Sequence, residues 1–368
     1  MKARTMGKWF VGGAGLIASV VAMSSVLQAE SVGDSKVKKA RRALISLSTL
    51  DQMTALPGDL GPLPAVPIPA DNPQTPAKIE LGKMLFFDPR LSANDHWSCA
   101  TCHSPSFGYS DGLPRSLGFG DEKELGRHSP TVINIAYNTA QFWDGRAATM
   151  EDQATGPIVA SREMNSDPKQ MISEVTSIPF YSEKFKEVFG GPPSMKTIGM
   201  AIASFERTIV TGESKFDRYA KGDKKALTDQ EKRGLTMFIS KAACTQCHNG
   251  PNFTDSSFQN LGVPQEGPLA EDHGRFEVTK DPKDKGAFKV PSLRNISMTA
   301  PYMHTGVFET LDEVVAFYNK GGGSHSNKSP KIIPLNLTDA EQKDLVAFLN
   351  TLTGDLPQIV PPQLPPRS

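Results

Sequence analysis

The chain has 368 residues, with 40 Lys plus Arg against 40 Asp plus Glu, and no formal net charge. That balance removes the electrostatic case for nucleic acid or an acidic substrate. The length suits two domains, each large enough for its own core, and no interior apolar stretch is long enough to span a membrane.

The first residues differ. Lys2, Arg4 and Lys8 precede an apolar run from Trp9 to Leu27, closing at Gln28-Ala29-Glu30. This is the layout of a signal peptide, 1–29, cleaved after Ala29, with an uncleaved anchor as the alternative. Either way a periplasmic body is expected, with no membrane span after cleavage. Residues 30–72 are read as an arm. The run Lys36 to Arg42 is basic and suits a solvated helix face. Pro57 to Pro73 is Pro-rich and should be extended, without a core of its own.

The first domain is expected over 73–212. Ile79, Leu81, Met84, Leu85 and Phe86 predict a short helix leading to Cys99-Ala100-Thr101-Cys102-His103. The stretch Ser104 to Gly126 is Gly-rich loop. Helical patterns resume from Glu151 and again from Met195 to Val210. The second domain is expected over 213–368. Thr228 to Glu231 is a capping box, and its helix carries Leu235, Phe238 and Ile239 towards Cys244-Thr245-Gln246-Cys247-His248. Thr310 to Glu313 and Thr338 to Glu341 are two more boxes, each opening a helix with an apolar face. No long strands are evident, so the fold class is mainly α.

The two C-x-x-C-H stretches organise the chain. Each is the pattern for covalent attachment of a c-type haem. The thiols take the two vinyl groups as thioethers, and the following His supplies a proximal nitrogen to iron. A disulfide or half of a zinc site is the bland alternative. Against it, all four cysteines lie in the two motifs and both motifs end in His. Two haems c are therefore expected, held by Cys99, Cys102 and His103 and by Cys244, Cys247 and His248.

The sixth ligand decides what such irons do. A Met makes a one-electron relay of raised potential, and an open position admits small oxidants. Met164 and Met303 lie at plausible loop distances from the two histidines. On spacing alone, a non-enzymatic diheme electron carrier stays open.

Residues 73 to 354 resemble the bacterial diheme cytochrome c peroxidase family. The matching stretches are Glu80 to Ser92, Phe142-Trp143-Asp144-Gly145-Arg146-Ala147, Gly156-Pro157-Ile158, Glu163-Met164, Val290 to Asn295 and Ala300-Pro301-Tyr302-Met303-His304. The resemblance implies two cytochrome c-like helical domains facing each other. Hydrogen peroxide would be reduced at the N-terminal haem, with electrons passed through the C-terminal one.

Within that family the chain is similar to the MauG-like branch. Phe119, in Leu117-Gly118-Phe119-Gly120, stands where typical members carry a distal His. Tyr318 stands where they carry a ligand Met, and matches the Tyr that ligates the second haem in MauG-like proteins. A core-only role for Tyr318 is the alternative. Glu163 matches the distal acid/base, Gln153 its polar neighbour, and Trp143 the relay between haems. Pro157 and Met164 would wall the distal pocket. The family also binds calcium between the haems. Thr299 and Pro301 match two of its carbonyl donors, but His128 stands at the Asn position, and calcium prefers oxygen. His304 matches a His in the inter-haem loop; His96, His273 and His325 are read as surface or loop residues. The implied donor is a small cytochrome c or a cupredoxin. The MauG-like alternative is oxidation of a protein side chain in quinone cofactor maturation.

Overall fold

The computed structural model describes residues 45–120, 124–268 and 271–367. The signal peptide and the basic run lie outside the described residues.

Helix α1 (Leu47–Gln52) precedes the Pro-rich arm. Thr75 then caps α2 (Pro76–Phe87), accepting a hydrogen bond from the Lys78 N–H. A one-turn helix, α3 (Cys99–Cys102), holds the first motif. Next come α4 (Met150–Val159), α5 (Pro168–Ser177), α6 (Pro179–Phe189) and α7 (Met195–Glu206). The second half holds α8 (Lys215–Ala220), α9 (Asp229–Ile239), α10 (Phe276–Thr279), α11 (Leu311–Asn319) and α12 (Asp339–Asn350). All three Thr boxes form, with both reciprocal bonds, at Thr228, Thr310 and Thr338. Helix α7 stops at Glu206, short of the expected Val210. The described residues hold one small sheet, β1 (Phe258–Gln259) paired antiparallel with β2 (Phe288–Lys289).

The same packing recurs in each half. Helix α2 crosses α7, and α9 crosses α12. Each crossing has a glycine at its closest point. A Cβ on Gly82 would collide with the Ala201 carbonyl, and one on Gly234 with the Asp344 carbonyl. Glycine in a helix interior costs up to about 1 kcal/mol, and here it allows backbone-to-backbone approach. Around the crossings lie two apolar clusters. One contains Leu85, Phe86, Tyr181, Ile202 and Phe205. The other contains Phe216, Leu235, Phe238, Phe253 and Phe348.

The chain ends cross over. Leu50, Leu56 and Leu60 of the N-terminal arm are buried in the second cluster, not the first. Arg294, fully buried, holds the arm through the Gly61 carbonyl at 2.9 Å. Leu356 and Ile359 of the tail pack on the first cluster. Arg90 donates to the Pro365 carbonyl, and Arg367 pairs with Asp95 and Glu174. The expected segment 213–368 therefore does not pack as a single body. Its Pro-rich end cannot build a core, so it covers apolar surface on the other half.

Candidate haem and peroxide site

Each motif makes a tight turn that presents its histidine. The His103 N–H donates to the Cys99 carbonyl at 2.9 Å, and the His248 N–H to the Cys244 carbonyl at 2.8 Å. The ring is then oriented from behind. His103 Nδ1 donates to the Tyr109 carbonyl at 3.1 Å, and His248 Nδ1 to the Phe253 carbonyl at 3.0 Å. Tyr109 and Phe253 both have positive φ, 57° and 53°, which turns those carbonyls inward. With Nδ1–H committed, Nε2 keeps its lone pair, the tautomer a metal ligand needs. The four cysteines form no disulfide, and burial pushes the Cys102 thiol up to about 12.

Both histidines line one cavity of about 960 Å³ at the junction of the halves. Several polar groups turned into it lack a protein partner. Gln153 is buried at its edge with Oε1 unbonded. The Tyr318 hydroxyl forms no hydrogen bond among the described residues, and burial raises its pKa far above the usual phenol value. These features fit two haems with ligands on their distal sides.

Glu163 lines the same cavity. Burial raises its carboxyl above the ordinary range, partly offset by Arg146 at 3.9 Å, with Asp144 adding to the rise. Phe119 does not line the cavity. Its N–H is shared between the Arg162 and Glu163 carbonyls at 3.0 and 3.1 Å, so it fixes the backbone under Glu163. Pro157 lines the cavity as expected. Met164 does not; it is buried in the first apolar cluster, because its N–H is tied back to the Pro157 carbonyl. Met303 does line it, as Tyr318 does.

Trp143 stands at the junction. Its Nε1–H donates to the His128 carbonyl at 2.9 Å, and its own carbonyl accepts from the Lys289 N–H at 2.7 Å. His304 is buried, stacked on Phe288 at 3.5 Å between centroids, and burial pushes it down to about 3. His325, in a loop as the sequence suggests, lines the cavity and is bonded to the Asn260 amide at 2.8 Å.

At the calcium position the side chain at 128 offers no oxygen. His128 Nδ1 bonds the Leu113 carbonyl at 2.8 Å, and Nε2 lies 3.3 Å from Ser110 Oγ. Both ring nitrogens are committed, and neither is an oxygen. Thr299 and Pro301 line the cavity, so the two carbonyl donors implied by the resemblance stand at its wall. Among the described residues no group of three or more His, Cys, Asp or Glu could hold a metal ion.

Sequence reasoning missed a repeat. His128-Ser129-Pro130-Thr131 matches Lys289-Val290-Pro291-Ser292 at a constant offset of 161 residues (289 − 128). Trp143 and His304, and Pro157 and Tyr318, are related by the same offset. That register was the available signal for Lys289.

Residues 76–225 match the family model described as di-haem cytochrome c peroxidase. The chain is 43% identical over 328 residues to the cytochrome-c peroxidase IdrP1 of Pseudomonas sp. (strain SCT), covering 81% of this chain and 86% of that protein. It is 44% identical over 303 residues to the methylamine utilization protein MauG of Methylorubrum extorquens, covering 82% and 85%. The crystal structure of a MauG-like protein associated with microbial copper homeostasis superposes with a TM-score of 0.73 at 32% identity, covering 80% of this chain and 95% of that one.

Proposed function

The chain belongs to the di-haem cytochrome c peroxidase family, and from that premise we propose a periplasmic oxidoreductase with two covalently attached haems c that reduces hydrogen peroxide. The observation that carries the reading is the pair of histidines, His103 and His248. Both are oriented by a backbone carbonyl and both open on one cavity. Cys99 and Cys102 would hold one haem, Cys244 and Cys247 the other. When bound, these groups supply the one-electron steps by which peroxide is reduced.

The protein's own part is proton handling and positioning. Glu163 holds or gives a proton at its carboxyl, where burial favours the protonated form. Arg146 and the Phe119 N–H keep that carboxyl and its backbone in place. Gln153, lining the same cavity, offers an amide oxygen with no partner among the described residues. Trp143 bridges the halves through its carbonyl, which accepts from the Lys289 N–H, while its indole is anchored on His128 in its own half. Tyr318 is the proposed distal ligand on the His248 side. Electrons would come from a small cytochrome c or a cupredoxin. Calcium is not assigned, because the donor set does not fit it.

A second reading is supported by Tyr318 itself. A phenolate ligand favours high oxidation states, which suits oxidation of a protein side chain as in the MauG-like branch. One experiment tests the primary reading. Pyridine haemochrome and intact mass count the haems, and stopped-flow mixing with peroxide, then reduced cytochrome c, follows turnover. Two haems and donor oxidation at catalytic rates are expected. Fewer than two haems, or no reaction with peroxide, would refute it.

A further inference from the structure

Lys289 is a buried cation turned into the inter-haem cavity. Among the described residues its ammonium forms no hydrogen bond and no ion pair. The other cavity-lining cations are provided for. Arg127 bonds Asp272 and Asp144, Arg146 bonds Asp144, and Arg294 bonds Asp217. Arg162 is exposed and bonds the Glu124 carbonyl.

A buried charge without a partner costs several kcal/mol, and folded chains pair such charges. Burial alone pushes Lys289 down to about 8, with no acid nearby to raise it. Its backbone is fixed at both sides, by the Trp143 carbonyl and by pairing with Phe258 across the β1–β2 ladder. The next residues, Val290 and Pro291, line the same cavity beside His248. The amine is therefore held rigidly where an anion carried by the cavity's occupant would meet it.

We propose that the Lys289 ammonium is the counter-ion of a haem propionate at the junction of the two halves. This rests on the diheme reading. The carboxylate is held ionised against the amine, and the pair presents no net charge to the nearby iron. In the equivalent position of the first half, His128 spends both ring nitrogens inside the protein. The proposal thus makes the two halves electrostatically unlike at one matched position.

The test is the midpoint potential of each haem in the parent, Lys289→Met and Lys289→Arg, by spectroelectrochemical titration. Removing the cation leaves the propionate's negative charge uncompensated, which stabilises oxidised iron. Lys289→Met should lower one potential by about tenfold in the reduction equilibrium, 59 mV for one electron. Lys289→Arg should restore it. The resonance Raman propionate bending band should shift in the Met variant. Two haems with both potentials and that band unchanged would overturn the proposal. If Lys289→Met does not load both haems, Lys289→Gln, which keeps a donor and loses the charge, should show the same downward shift; an unmoved potential there overturns it equally. A parent holding fewer than two haems would instead refute the diheme reading, and this pairing with it.

Discussion

Trp143 and His304 meet edge to face, 6.3 Å between ring centroids, at the point where the two halves of the chain join. They occupy the same register of the repeat, so each is the tip of its half's inter-haem loop. The exchange between halves is reciprocal. The His128 N–H donates to the His304 carbonyl at 2.8 Å, and the Lys289 N–H donates to the Trp143 carbonyl at 2.7 Å. Each loop tip is thus gripped by the matched residue of the other half.

Glu163 is the acid/base candidate. Glu163→Gln keeps the shape and removes the titrating group. The reaction with peroxide should slow by on the order of 10²-fold or more, with both haems retained. Stopped-flow absorbance checks it, with pyridine haemochrome as the control for loading. A variant as fast as the parent would take the proton shuttle away from Glu163.

Tyr318 and Met303 both line the cavity that holds His248. Tyr318 has the stronger case, since its hydroxyl lacks a partner among the described residues while Thr310 caps the helix that carries it. Tyr318→Phe should change the resonance Raman and near-infrared spectra, and Met303→Leu should leave them as they are. A sulfur-ligation band lost only in Met303→Leu would assign the position to Met303 and favour an electron carrier.

His128 decides the calcium question. Chelation with EGTA should leave haem spectra and turnover unchanged, and elemental analysis should find no stoichiometric calcium. His128→Asn replaces the committed imidazole with an amide oxygen and should raise calcium retention. Loss of activity on chelation, restored by calcium, would contradict this.

Glu206 makes stability depend on pH. It is fully buried, its Oε2 has no partner, and burial pushes its carboxyl up to about 8, opposed by Arg207 and aided by Glu151. Between its ordinary value near 4.5 and about 8 the unfolded chain has lost this proton and the folded chain has kept it. Stability should therefore fall as pH rises through that window, by at most about 1.4 kcal/mol per pH unit from this group. Glu206→Gln should flatten the fall. Urea unfolding across the window reads both slopes; parallel slopes in parent and variant would exclude Glu206 as the source.

The sequence by itself determined what is local. The C-x-x-C-H pattern puts two thiols and a His within five consecutive residues, so it is legible at Cys99 to His103 and at Cys244 to His248. The Thr228, Thr310 and Thr338 boxes are equally legible, because a capping box is closed by residues three apart. Only the tertiary structure decided the rest, since it depends on residues far apart in the chain meeting at one place. The carbonyls behind the histidines come from Tyr109 and Phe253, whose positive φ nothing in a non-glycine residue announces. Met164 and Met303 looked alike by spacing, yet packing turned one into the core and left the other in the cavity. The Pro-rich ends were readable as extended, but which core they would cover was not, because an extended segment takes its place from the apolar surface that needs covering. Lys289 carried no signal of its own in the sequence; only burial beside the cavity showed its ammonium to lack a partner among the described residues.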